Sequence, residues 1–518
     1  MDPARLVMID LSGSSLTPDE RAFLRDMPPG GVCLFGRNVT DRFQVAEYVA
    51  ELRSLAGDDL IVAVDQEGGG VVRVTDLPYA PSAMALGAAD DVELTRAVAE
   101  ATGHGLRSVG IDVDFAPVAD VNSNPANPVI ADRAFGGDPA HVARHVVAFV
   151  EGLQGAGVAA TVKHFPGHGD AAVDSHLALP TLDLTIEELE RREWPPFVAA
   201  FRAGVAAVMT AHIVMSRIDP EYPATLSRTV VTGLLHERLG FGGVVFSDAL
   251  EMRAIADRWG GPESAVMALA AGVDMPAQVA SLAVQEATVA AIDRALSEGR
   301  LDGTEIAASA ARLRALKRGS RARYAASEAW RDGDAGLLAS AAARALVALG
   351  DVPHVSAGDR VVLVAAQRTR QSAATQATVS PAAGLAAALR QRGVDVVEVP
   401  YRPDEALSVR DDALTAAADA DLLLFASTAR TVLHDDEVAL ARALAGALSG
   451  ALSGAARRGA AGPVFVHVAL WNPYLVAALP GPALVTFGWR EASVAAAAAA
   501  LVGEVQAMGR SPVELRTA

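Results

Sequence analysis

Eight short β-rich runs alternate with amphipathic helical stretches from the N-terminus to about residue 320, a pattern that few architectures accommodate. The predicted strands are residues 6–11, 31–35, 60–64, 112–117, 159–164, 207–212, 243–247 and a short run near Asp274. Between them lie segments such as RFQVAEYVAELRSLA and AHVARHVVAFVEGLQGAG, with apolar residues at helical spacing; several carry a starting Asp, Ser or Thr and a closing Gly. Eight such units predict a (β/α)8 TIM-like barrel. A doubly wound sheet would show similar alternation, but the polar motifs favour the barrel. Asp65, Asp120, Lys163, His164, His212 and Asp248 all fall at or just past the C-terminal end of a predicted strand. In a barrel those ends converge on one face, where active sites are built.

A chain of 518 residues is too long for one ordinary core, and the pattern indeed restarts. The charged segment GSRARYAASEAWRDGDAG lacks an apolar face and reads as a linker. Beyond it, residues 360–365, 394–399, 421–426, 463–470 and 483–487 are predicted strands separated by Ala-rich helices. The expected organisation is a catalytic barrel with its linker over 1–330, then a C-terminal α/β sandwich domain over 331–518. No G-x-G-x-x-G follows the first strand of that second unit, which argues against dinucleotide binding. The run ARALAGALSGALSGAARRGAAG is expected to be a loosely specified helix or a loop.

Composition excludes several classes of function. With 44 basic against 62 acidic side chains the net charge is -18, a surface that repels nucleic acid and anionic membrane. The expected partner is a small substrate that is not polyanionic. Cys33 is the single cysteine, so neither an intrachain disulfide nor a thiolate metal cluster is expected. No apolar run is long enough for a membrane span, and MDPARLVMIDLSG lacks the pattern of a leader peptide, so a cytoplasmic protein is expected. The oligomeric state leaves no mark.

The densest chemistry lies in residues 163–176, KHFPGHGDAAVDSH, directly after a predicted strand. Gly and Pro there favour an irregular loop, and a plain surface loop rarely concentrates three His, two Asp and a Lys. A metal site is a livelier rival, since His164, His168, Asp170, Asp174 and His176 are all possible ligands; the spacing, however, matches no common zinc motif. The third reading is acid/base work: Asp174 and His176 stand two apart, so the carboxylate can orient the imidazole and support its protonated form. Lys163 is one of only two lysines, with Lys317, in a chain that otherwise uses arginine. Its compact ammonium can meet a hydroxyl in a tight site where a planar guanidinium cannot. Asp248 ends the apolar run of GVVFSDALEM, where a carboxylate can attack an electrophilic carbon; the bland alternative is a helix N-cap. DQEGGGVVR, residues 65–73, supplies another strand-end Asp, a Gly turn and Arg73, without the ending of a phosphate-binding P-loop.

In their order and spacing, KHFPGHGD…DSH, DQEGG, FAPVADV, RAFG, MTAHI, PATLS and SDALEM resemble the catalytic domain of glycoside hydrolase family 3. The likeness runs from about residue 5 to 320, and the Asp-x-His loop is similar to the family's β-N-acetylglucosaminidase branch. LWNPY and GRSPVEL resemble, more faintly, the family's C-terminal sandwich. The resemblance implies a retaining double displacement with Asp248 as nucleophile and His176, oriented by Asp174, as acid/base. It also implies that Asp65, Arg73, Arg133, Lys163 and His164 hydrogen-bond the terminal sugar. Gly70 stands where many members carry Arg. No cofactor and no metal are implied, and the expected substrate is a small saccharide ending in β-linked N-acetylglucosamine, from cell-wall fragments or chitin oligomers. A β-glucosidase of the same family, whose acid/base Glu generally comes from another domain, is the nearest rival. A phosphorylase is another, because imidazole does not repel phosphate as a carboxylate does. A metal-dependent hydrolase is the alternative from a different class.

Overall fold

The computed structural model describes residues 2–173, 179–367, 380–455 and 463–515. Its first part is a closed barrel of eight parallel strands: β1 (Met8–Ile9), β2 (Gly31–Leu34), β3 (Ile61–Val64), β4 (Val113–Asp114), β5 (Ala159–Phe165), β6 (Ala207–Thr210), β7 (Val244–Ala249) and β8 (Met275–Gln278). The ring closes where Met8 and Ile9 pair with Ala277 and Gln278 on one side and with Gly31 and Val32 on the other. Strand periodicity sorts the side chains. Ile61 and Ala63 join Met8, Val113, Phe115, Met209, Phe246 and Met275 in the barrel interior, whereas Val62 and Val64 pack outward against the helices. The eight predicted strands are the eight of the barrel, although β1 and β4 are only two residues long; a small two-stranded sheet, Thr181–Leu182 with Val214–Met215, is not predicted from the sequence. For β4 the reason is local: Pro117 has no N–H to give to a ladder.

Two buried carboxylates close the N-terminal face. Asp112 accepts from Arg53, Lys317, Ser320 and the backbone of Val62. Asp274 takes Arg312 and the N–H of Val245. Both stand just before a strand, so they fasten the base of the barrel and not its mouth.

The second part is a six-stranded sheet, β9 (Val347–Leu349), β10 (Arg360–Ala366), β11 (Asp395–Tyr401), β12 (Leu422–Ser427), β13 (Val464–Ala469) and β14 (Ala483–Val485), in the order β9-β14-β13-β12-β10-β11. All pairs are parallel except β9 with β14. Apolar clusters cover both faces, making the expected three-layer sandwich. β9 escapes sequence reading because three residues show no period and its partner lies over a hundred positions on. The Ala/Gly-rich run is a helix, Asp435–Ala455, over its described part. Alanine favours helix, and Leu440, Leu444 and Leu448 recur every four residues as a buried stripe against the sheet.

The segment expected to be a linker is instead a strap on the barrel. Its backbone bonds Gly157, Arg107 and Ser108, Ala326 and Ala329 are buried, and Trp330 donates to the carbonyl of Asp76. Its small apolar residues are too few to show a period, yet they fill gaps between helix ends.

Candidate active site

The site is built at the C-terminal mouth of the barrel, around a cavity of about 320 Å³. Its floor is apolar, with Cys33, Phe115, Met209 and Ala277, and its walls are charged. Among the described residues every lining side chain comes from the barrel; the second domain contributes none.

One wall begins at the end of β3. Gly68, with a φ of +99°, turns the chain so that its N–H and carbonyl pair with Val71. A Cβ at Gly68 would lie 2.5 Å from the carbonyl oxygen of Pro81, so only glycine fits. The buried amide of Gln66 then accepts from the N–H groups of Arg73 and Val74, which returns Arg73 to Asp65 at 3.5 Å. From β5, Lys163 reaches across, its Nζ 2.7 Å from Asp65 Oδ1 and 2.6 Å from Glu67 Oε1. Arg133 grips Glu67 through two bonds of 2.8 Å. Glu67 is not among the site residues expected from the sequence, although it stands two residues after Asp65 and an extended chain sends both to the same side.

Burial pulls the Lys163 ammonium towards its neutral form, but Asp65 and Glu67 outweigh it and hold its pKa above the ordinary lysine value. Burial likewise raises both carboxyls, and the facing cations reverse that: Lys163 and Arg73 hold Asp65 low, Arg133 and Lys163 hold Glu67 low. Behind them Asp114 is wholly buried and pushed up to about 8, chiefly by that burial, which favours the neutral form where a third carboxylate would repel the other two.

The turn after β5 is irregular, as its Gly and Pro predict. Fully buried Asp120 pins it, accepting from the backbone N–H of His168 at 2.7 Å and from His164 Nδ1 at 2.8 Å. The His164 Nε2 thereby faces Arg133, 3.4 Å away. Gly169 lies so close to Val121 that a Cβ would sit 1.7 Å from its carbonyl oxygen. Burial lowers His168, which also lines the cavity, to about 4. Asp170 is bonded to Arg192 at 2.7 Å and does not line the cavity. Among the described residues no three possible metal ligands at this mouth bring their ligand atoms within 4.8 Å of one another.

Asp248 projects from the end of β7 on the opposite wall and accepts the N–H of Ala249 at 2.8 Å. It is not a helix cap, because the next helix, Arg253–Trp259, starts after Met252. His212 does not line the cavity; its Nε2 lies 2.9 Å from the carbonyl oxygen of Ala249, the residue after Asp248. The structure therefore gathers Asp65, Arg73, Arg133, Lys163, His164 and Asp248 around one cavity. Asp174 and His176 lie outside the described residues.

The second domain buttresses the loops of this mouth from outside. Arg490 donates to the carbonyl of Gly69, Arg430 to that of Val129, and Asn122 to the Tyr474 hydroxyl at 3.1 Å. The arm 509–515 lies on the barrel, where Arg510 bonds Ala88 and Pro512 accepts from Gly137. LWNPY and GRSPVEL thus both belong to the seam.

If Lys163 holds a sugar hydroxyl with its remaining N–H, geometry matters as much as charge. Lys163→Arg is expected to lower kcat/KM by about a hundredfold, because a planar fork cannot fill the slot between Asp65 and Glu67. Steady-state kinetics on an aryl glycoside checks this, and an unchanged value would make the lysine incidental.

A closed parallel barrel with a carboxylate facing a clamp of Asp, Glu, Lys and Arg across a small cavity is a site able to hold a compact polar substrate. The sequence profile of the glycosyl hydrolase family 3 N-terminal domain matches residues 4–316. The chain belongs to glycosyl hydrolase family 3 and is a glycoside hydrolase. It is 43% identical over 276 residues to a β-hexosaminidase of Methylococcus capsulatus, covering 52% of this chain and 80% of that one. A β-hexosaminidase of Pseudomonas aeruginosa is 39% identical over 297 residues, 56% of this chain and 86% of its own. Those alignments span little more than half of this chain. Both domains are matched by the structure of a glycoside hydrolase family 3 β-N-acetylglucosaminidase from Paenibacillus sp. FPU-7, with a TM-score of 0.90 and 33% identity over 100% of this chain and 99% of that one. Among the described residues no helix is long and apolar enough to cross a membrane.

Proposed function

We propose that this chain is a retaining exo-β-N-acetylglucosaminidase that removes terminal, non-reducing β-linked N-acetylglucosamine. The observation that carries the reading is the likeness, across both domains, to a β-N-acetylglucosaminidase of the same family. A small cavity lined on all described sides by the barrel suits one terminal sugar better than the middle of a polymer.

In this reading Asp65, Arg73, Arg133, Lys163 and His164 hold the sugar's hydroxyls. Glu67 keeps Lys163 and Arg133 charged and in place. The Asp248 carboxylate attacks the anomeric carbon as His176, oriented by Asp174, protonates the departing oxygen. The glycosidic C–O bond breaks and a glycosyl ester of Asp248 forms. His176, now neutral, takes a proton from water, whose oxygen displaces the carboxylate and releases the sugar with its configuration retained. The common retaining scheme uses two carboxyls about 5 Å apart; here a His–Asp pair replaces one of them. The catalytic unit is taken as 1–330 and the sandwich as 331–518. A cytoplasmic role on cell-wall or chitin fragments completes the proposal, in keeping with a lone, buried cysteine.

The test compares release from aryl N-acetylglucosaminide and aryl glucoside, with and without phosphate. The expected result is a preference for the former by at least about a hundredfold in kcat/KM and a free sugar product, since a site that hydrogen-bonds a substituent rejects the analogue lacking it. Preference for the glucoside would favour a β-glucosidase, and a sugar phosphate product would favour a phosphorylase.

A further inference from the structure

A second cluster of chemically able side chains stands apart from the catalytic mouth, and none of its members lines that cavity. Helix Ala83–Ala89 ends at Asp90, whose φ of +46° is left-handed, a conformation Asp and Asn tolerate better than other residues with a side chain. Helix Pro139–Ala156 is capped by Asp138, which accepts from the N–H of His141. One turn later comes His145, so the two imidazoles share a helix face as i and i+4 neighbours. The carboxylate of Asp90 meets that face. Its Oδ1 is 3.4 Å from His141 Nδ1 and 3.7 Å from His145 Nε2. The three donor atoms all lie within 4.8 Å of one another.

The hydrogen bonds decide which nitrogen of His145 carries its lone pair. The Thr95 hydroxyl gives its proton to the carbonyl of Asp91 and so accepts from His145 Nδ1, 2.8 Å away. The Nε2 is therefore the basic nitrogen. It is fully buried, has no hydrogen-bond partner among the described residues, and is aimed at Asp90 and His141. A ring fixed from behind in this way is how metal-binding histidines are commonly held. Ligand bonds of about 2.0–2.1 Å in a tetrahedron set donor atoms about 3.4 Å apart, close to the two distances to Asp90. The Arg144 guanidinium, 3.2 Å from Asp90 Oδ1 and 3.3 Å from His141 Nδ1, holds the place of a cation. Its side chain is 54% exposed and can swing into solvent.

We propose that Asp90, His141 and His145 bind one transition-metal dication of the zinc type. Two imidazoles and a carboxylate suit Zn²⁺, Co²⁺ or Ni²⁺ better than Ca²⁺ or Mg²⁺, which prefer all-oxygen sites. Three protein ligands leave a fourth position. Asp90 and His141 line a cleft of about 660 Å³ between the barrel and the arm 509–515, whose lining also includes Tyr474 and Arg510. The open position faces water or a small anion there.

The test titrates the metal-stripped full chain with Co²⁺, following d–d absorption and equilibrium dialysis. The wild type is expected to bind one Co²⁺ of tetrahedral spectrum at this site with micromolar affinity. Asp90→Asn and His141→Gln should each weaken it at least about tenfold. Arg144→Gln should tighten it severalfold by removing the competing cation. Asp90 is exposed and Asn accepts its backbone conformation, so that variant keeps the fold, and its hydrolysis of an aryl glycoside should match the wild type. Co²⁺ should raise the Tm of the wild type and not of Asp90→Asn. Equal Co²⁺ binding in the wild type, Asp90→Asn and His141→Gln would place any bound ion elsewhere and overturn the proposal, as would failure of the wild type to retain Co²⁺. Weaker binding in Arg144→Gln would also count against it.

Discussion

Asp248→Asn is expected to lower kcat by at least about 10⁴-fold with little change in stability. The amide is isosteric and its oxygen can still accept the N–H of Ala249, so the end of β7 keeps its shape. What it lacks is a charge able to form a glycosyl ester, and His212, which supports the Ala249 carbonyl, cannot substitute for it. Thermal unfolding of the variant should overlay that of the wild type. A 2-fluoro sugar with a good leaving group should acylate the wild type, and peptide mapping should find the label on Asp248. A label on Asp65 or Glu67, or near-normal turnover in Asp248→Asn, would remove Asp248 from its role. Asp65 and Glu67 make poor nucleophiles because their charges are already committed to Lys163, Arg73 and Arg133.

The second large effect is expected at His176. Protonation of the departing oxygen matters most when that oxygen is basic and least when it belongs to an activated phenol. His176→Ala should therefore lower turnover of a disaccharide by about 10²–10⁴-fold, the usual range for a positioned acid/base group. With an activated aryl substrate the first step suffers less, and release of the covalent sugar becomes slow. Pre-steady-state records should then show a burst of phenol, and azide should speed turnover by yielding a β-glycosyl azide. Asp174→Asn should show a milder form, since the imidazole stays but loses its orienting charge. The measurements are made after extensive chelation. Equal losses on both substrates without an azide effect would remove His176 from acid/base work. Loss of wild-type activity on chelation would favour metal chemistry at the mouth.

Much of the fold is legible because its cause is local. Strand β7 can be read from the apolar run before Asp248, and the turn at Gly68 from the glycines of DQEGG. The helix with His141 and His145 is legible from its Asp138 cap and its apolar period. Asp65, Lys163, His164 and Asp248 could be picked out because each stands at or just past the end of a strand, and a barrel brings strand ends together; Arg73 and Arg133 lie further along the loops and are reached only through the family resemblance. Where that reasoning missed, the cause is distance along the chain. β9 depends on a partner at 483–485. The strap at 319–336 shows its packing only once Gly157 and Arg107 are beside it.

By itself the sequence determined the alternation of strands and helices, the cap and turn chemistry, and which side chains stand at strand ends. Each depends on neighbours within a few positions and on the periods of helix and strand. Only the tertiary structure decided what those side chains do to one another. Asp112 and Asp65 both flank strands, yet one locks Arg53 and Lys317 at the base while the other meets Lys163 at the mouth. Glu67 becomes a member of the site because Lys163 and Arg133 arrive from 96 and 66 positions away. Asp114 is pushed up to about 8 chiefly because closure of the barrel buries it. The physical reason is common to all three: charge–charge energies inside a protein depend on separation in space and on exclusion of water, and both are set by closure of the ring.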